Sequence, residues 1–261
     1  MKRIGAFLGL LTLGWVAAWL VPGLILGQPT ILLSRHGPRA WKDGYLIALY
    51  CWLLLSTYYS WRRWGPRPGS ASLALRPGWV RLFTTGLLLG TGMIVGSRLI
   101  LTLFGHWPPP PDPPLLAALI AAPLMAIAEE VVFRGYLFQV AREEWGRPAA
   151  YLGVNLFFAI LHLFRPGTAE WKLAFGVSLV LAGIFLALLV ERTGSLWMAI
   201  GVHTTWVFIQ IVDPPGRLDS SWFWGLSGDP LSGILGWILL ALTCGPFLGP
   251  ARAPRPSPEG P

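Results

Sequence analysis

Two adjacent carboxylates, Glu129 and Glu130, stand with Arg134 in an otherwise apolar run, Ala126-Ile127-Ala128-Glu129-Glu130-Val131-Val132-Phe133-Arg134. Ionisable groups in hydrocarbon surroundings cost roughly 2.5–3.5 kcal/mol each on insertion scales, so they persist where they pair with one another or do chemistry. On a helix, residues four apart share a face, and Glu130 and Arg134 are therefore placed to form an ion pair. Glu129 is turned by about 100° from Glu130 and needs another neighbour. Two histidines in later apolar runs can supply it: His162, in Phe158-Ala159-Ile160-Leu161-His162, and His203, in Gly201-Val202-His203-Thr204-Thr205.

A carboxylate and two imidazoles from three helices support two related chemistries. They can hold a divalent metal such as zinc, which acidifies a bound water. Alternatively, Glu129 and His162 take a proton from water directly, with His203 stabilising oxyanion charge. In both, Arg134 keeps Glu130 charged and leaves Glu129 as the base. A Glu-Arg pair can also be a folding device, and a membrane histidine can simply hydrogen-bond between helices. That explains each feature singly but not the set. A proton-coupled transporter would use the same residue types, yet no inverted repeat of interrupted helices is evident in the sequence.

The elements that must position these groups are membrane helices. Of the 261 residues, 54% are hydrophobic and 12% charged, and the mean hydropathy is +0.58; soluble domains carry roughly 25% charged residues. Apolar runs predict eight spans, at roughly 5–26, 44–61, 80–104, 115–140, 148–166, 172–191, 196–212 and 231–249, most of them near the ~20 residues that a bilayer core requires. Barrel strands would show short alternating segments instead. The expected fold class is all-α, a polytopic transmembrane helical bundle. Residues 1–114 form N-terminal helices and a basic loop, 115–212 a four-helix core, 213–249 a final loop and span, and 250–261 a disordered Pro-rich tail. The first run is read as a retained span, being longer than a cleaved signal and ending in Val-Pro-Gly.

The net charge of +8 does not point to nucleic acid, because the basic residues lie between the apolar runs, where they hold orientation in a lipid membrane. With the N-terminus inside, twelve Lys and Arg fall on the inner side or the span ends facing it, six on the outer, and Arg98 and Arg134 in span interiors. Both termini are therefore expected on the cytoplasmic face of the plasma (inner) membrane. Trp61-Arg62-Arg63-Trp64 fits that interface, and the stretch from Ile31 to Trp41 fits the opposite one. Cys51 and Cys244 both sit in apolar runs and suggest neither a disulfide framework nor a Cys-based metal site.

The motifs resemble those of the CPBP intramembrane proteases, a family that includes the eukaryotic CAAX prenyl endopeptidases and bacterial proteins linked to bacteriocin self-immunity. The family's Glu-Glu-x-x-x-Arg is matched by Glu129, Glu130 and Arg134, and its Phe-x-x-x-His by Phe158 and His162. Its His-x-x-x-Asn is matched at His203, but Val207 stands where Asn is usual. Phe133-Arg134-Gly135-Tyr136-Leu137-Phe138 and Gly194-Ser195-Leu196-Trp197 also look like the family. The resemblance covers roughly residues 115–212. It implies that Glu129 activates water, with His162 positioning that water or binding metal and His203 serving as metal ligand or oxyanion donor. Glu130 and Arg134, with Phe158, would support the site or engage substrate. The implied substrate is a membrane-associated peptide or protein, prenylated CAAX-like chains among them. Members have been described both as metalloproteases and as glutamate-dependent proteases.

Val207 shares a face with His203 but offers no hydrogen bond, and losing an oxyanion donor costs about 10²–10³ in rate. Gln210, seven residues on and nearly on the same face, is a candidate substitute. Asn155 shares a face with His162 but lies about 10 Å along the helix, too far to compensate directly. The alternative expectation is a catalytically impaired member acting as an immunity or assembly factor in the membrane.

Overall fold

The computed structural model describes residues 2–25, 39–66, 78–104, 114–163, 167–213, 221–226 and 229–247. The predicted tail 250–261 and residues 31–38 of the predicted interfacial stretch lie outside these. Among the described residues there is no strand, and each of the eight apolar runs holds one helix: α1 Lys2–Ile25, α2 Arg39–Trp64, α3 Trp79–Leu103, α4 Leu115–Trp145, α5 Arg147–His162, α6 Ala169–Thr193, α7 Trp197–Val212 and α8 Ile234–Cys244. The all-α class holds. Three of them, α3, α4 and α6, are long and apolar enough to cross a membrane, while α7 and α8 are shorter apolar helices. Leu88, Leu99, Leu103, Leu116, Leu119 and Leu124 on α3 and α4 are all more than half exposed. Such a stripe would be a liability in water; lipid tails cover it at no cost.

Local chemistry sets the breaks. Between α4 and α5, Gly146 takes φ 81°, a conformation open to glycine, and Pro148 comes next in the first turn of α5. Thr168 caps α6 by accepting from the Trp171 N–H at 3.2 Å, and Gly194, at φ 64°, ends it.

Helix α7, which carries His203, packs most closely on α3 and α4. The α3–α7 seam is glycine on glycine. A Cβ at Gly86 would stand 2.2 Å from the Met198 carbonyl oxygen, and one at Gly201 would stand 2.3 Å from that of Phe83. Removing side chains there lets the backbones touch, which is how helices gain dispersion contact where burial from water drives nothing.

Helix α4 is not regular throughout. Its Val131–Leu137 segment is a π-helix, and the Phe138 N–H reaches five residues back to the Phe133 carbonyl. Such a turn holds an extra residue and rotates the remainder of the helix about its axis. Here that places Tyr136 against Phe7 of α1 and Trp61 of α2, at centroid distances of 4.7 and 6.3 Å. The C-terminal end of α4 is also tied to α1 by Arg3, whose Nε and Nη1 donate to Glu144 and Glu143, both at 2.9 Å.

Candidate active site

Glu129 and Glu130 are the last regular α-helical residues before the π segment, and Arg134 lies within it. The expected ion pair is present: Arg134 Nη1 donates to Glu130 Oε1 at 2.9 Å, with both side chains fully buried. The guanidinium is held from two further sides. Its Nη2 donates to Asn155 Oδ1 on α5 at 3.3 Å, and its Cζ lies 4.9 Å from the centre of the Phe158 ring. Gly183 of α6 makes the space, since a Cβ there would stand 2.3 Å from Asn155 Oδ1 and 2.9 Å from Arg134 Nη2. Asn155 thus contributes to the anchor of Arg134 and not to the water-activating end.

His203 links the two glutamates. Its Nδ1 is 2.8 Å from Glu130 Oε1, while its Nε2 is 3.6 Å from Glu129 Oε2. A carboxylate only accepts, so Nδ1 carries the hydrogen and Nε2 is turned towards Glu129. Glu130 therefore serves Arg134 and His203 together, a sharing that spacing along one helix does not reveal. Glu129 in turn accepts, at Oε1, the Tyr50 hydroxyl of α2 at 2.5 Å. Sequence reasoning missed Tyr50: it is one of six tyrosines and sits in an apolar run with no motif around it.

His162, at the end of α5, has Nδ1 2.8 Å from the Phe158 carbonyl one turn earlier. That oxygen also only accepts, so Nδ1 is the protonated nitrogen and Nε2 bears the lone pair. The Phe158 ring stands between the histidines, 4.5 Å from His162 and 6.4 Å from His203. Glu129, His162 and His203 border one cavity of about 240 Å³. Val207 and Gln210 line it as well, with Met125, Leu179 and Trp206 among its apolar walls. Residues from four helices thus converge on one small cavity.

The donor set can be tested against a metal. Glu129 Oε2 and His203 Nε2 stand 3.6 Å apart, a spacing that two ligands of one ion could have. Among the described residues, however, no three His, Cys, Asp or Glu side chains are grouped as a ligand set, although His203, with Nδ1 on Glu130, keeps Nε2 able to act as a ligand. Glu129, His162 and His203 are thus not drawn together as one three-ligand group among the described residues.

Comparison with known proteins bears on the same helices. Residues 111–209 match the family described as type II CAAX prenyl endopeptidase Rce1-like. No curated protein and no solved structure matches the chain significantly. The matched segment takes in α4, α5 and α6 and most of α7, and so holds every motif residue from Glu129 to His203. Through the helices that build this cavity, the chain carries a segment similar to the CAAX-type (CPBP) intramembrane protease family.

Proposed function

We propose that the protein is an intramembrane endopeptidase in which Glu129 activates water for attack on a peptide bond of a membrane-associated substrate, prenylated CAAX-like chains included. The observation that carries this is the shared cavity of Glu129, His162 and His203, with His203 bridged to both glutamates. Water in the cavity gives a proton to Glu129 Oε2, and His162 Nε2 accepts its other hydrogen and orients it. The resulting hydroxide adds to the carbonyl carbon. His203, backed by Glu130 at Nδ1, donates from Nε2 to the oxyanion when it is in its imidazolium form. Collapse breaks the C–N bond, and the proton held by Glu129 passes to the leaving amine. None of these steps requires a metal.

The test compares wild type with Glu129→Gln and His162→Ala on detergent-solubilised or vesicle-bound substrates, with and without a prenyl group. A general base contributes about 10²–10⁴ in rate, and Glu129→Gln is expected to lose that much with normal membrane insertion. Cleavage by Glu129→Gln at the wild-type rate would remove the reading.

Val207 on the cavity wall favours a second reading, in which the scaffold acts without turnover as an immunity or assembly factor. The same variant separates the two, because a cellular phenotype that survives Glu129→Gln belongs to the second.

A further inference from the structure

We infer that Tyr50 is a positioning residue for Glu129, so that the second helix is part of the site and not packing around it. This rests on the hydrolytic reading above and extends it beyond residues 111–209, the segment that matches the family. The two oxygens of Glu129 are divided between different partners. Oε1 accepts the Tyr50 hydroxyl at 2.5 Å, whereas Oε2 is the atom 3.6 Å from His203 Nε2. A glutamate side chain has three rotatable bonds and a broad terminal torsion. A short, directional contact at one oxygen narrows the orientations that its carboxylate samples. A short hydrogen bond from a phenol to a carboxylate is of the charge-assisted kind. By engaging Oε1, it leaves Oε2 as the atom presented to water.

The phenol can do this because α2 is itself anchored on α4. Trp61 lies 6.3 Å from Tyr136 in the π segment, so α2 touches α4 at two places. Tyr50 precedes Trp61 as Glu129 precedes Tyr136, so the two helices run in the same direction along this contact. Tyr50 itself is half-buried.

Tyr50→Phe removes the hydroxyl and keeps the ring. Hydrogen bonds to charged groups correspond to about tenfold to a hundredfold in an equilibrium. The variant should therefore lose that factor in kcat, with KM changed by less than about twofold, as expected of an interaction made at the reacting group and not in substrate binding. In the Glu129→Gln background the same change should do nothing further. A readout independent of turnover is the infrared carboxylate band assigned by Glu129→Gln, which should shift in Tyr50→Phe. Should that protein fail to fold, 3-fluorotyrosine at position 50 keeps the shape, changes the acidity of the donor and should move the band. Wild-type kcat together with an unmoved band overturns the inference, even while Glu129→Gln is dead and the hydrolytic reading stands. Should Glu129→Gln stay active, the hydrolytic reading falls instead, and the infrared band alone decides whether Tyr50 holds Glu129.

Discussion

Arg134 is fully buried, and its charge is met by Glu130, Asn155 and the Phe158 face. Taking one partner from a buried pair strands the other, at about 3–5 kcal/mol, whereas replacing both by uncharged groups is far milder. Arg134→Met should therefore be strongly destabilising in reversible unfolding from mixed micelles, and adding Glu130→Gln should recover part of the loss. A double variant no more stable than the single one would show that the pair is not the energetic unit. Position 207 makes a different prediction. Val207→Asn puts an amide donor on the cavity wall one turn from His203, where the resemblance places one. It should raise kcat, by up to the 10²–10³ typical of an oxyanion donor, with little change in stability; an unchanged kcat would point to Gln210 as already filling that role. The Glu130–Arg134 pair was legible from spacing, being four apart, and position 207 from the resemblance, whose pattern has Asn four residues after the histidine. The long-range partners were not. That His203 binds Glu130, or that Tyr50 reaches Glu129 across 79 residues, depends on how helices are arranged around one another, which periodicity along a single helix does not encode.

The helices themselves carry features that chain composition predicts unevenly. The eight apolar runs translate directly into eight helices, because an apolar segment in lipid has to satisfy its own backbone hydrogen bonds. The π segment Val131–Leu137 has no such signal: its residues would suit an ordinary helix, and tertiary contacts at Tyr136 and Arg134 go with the wider turn. Glycines tell more once the neighbours are known. Gly183 looks like any glycine in a membrane helix, yet it is the gap through which Arg134 and Asn155 meet. Gly183→Ala should push the Asn155 amide away, since its Cβ would stand 2.3 Å from Oδ1, and so loosen Arg134 and lower activity. Pairing it with Asn155→Ala removes the nearer clash but leaves the 2.9 Å approach to Arg134 Nη2, and should recover part of the thermal midpoint lost by the single variant in detergent. Gly201→Ala allows no such relief, because the obstructing atoms are backbone of α3, the Phe83 carbonyl oxygen and the Leu87 nitrogen. That variant should part α3 from α7 and displace His203. Wild-type stability and activity in Gly201→Ala would show that the seam is looser than its geometry.

At the scale of the molecule, the distribution of charge decides how the bundle stands in the membrane. Eight crossings would put both ends of the chain on one side, and the two-to-one excess of Lys and Arg makes the cytoplasm the expected side. The weak member of the count is α8, which at Ile234–Cys244 is only about 16 Å long at ~1.5 Å per residue. A short 3-10 turn, Gly245–Phe247, extends it at its C-terminal end, so that the run from 234 to 247 reaches about 21 Å, short of the ~30 Å hydrocarbon thickness, while the extended backbone of Gly233 separates it from the Pro230–Ser232 turn. The α8 helix packs on α6, itself long and apolar enough to cross, which favours a neighbour lying through the bilayer over one lying on its surface. Reporter fusions at the two ends should therefore both read cytoplasmic, and a cysteine placed after residue 247 should resist a membrane-impermeant thiol reagent in sealed spheroplasts. Labelling there, with the N-terminal fusion still cytoplasmic, would mean that α8 turns back without crossing, making the number of spans seven while leaving the orientation of α4 to α7, and hence the side from which Glu129 is reached, unchanged.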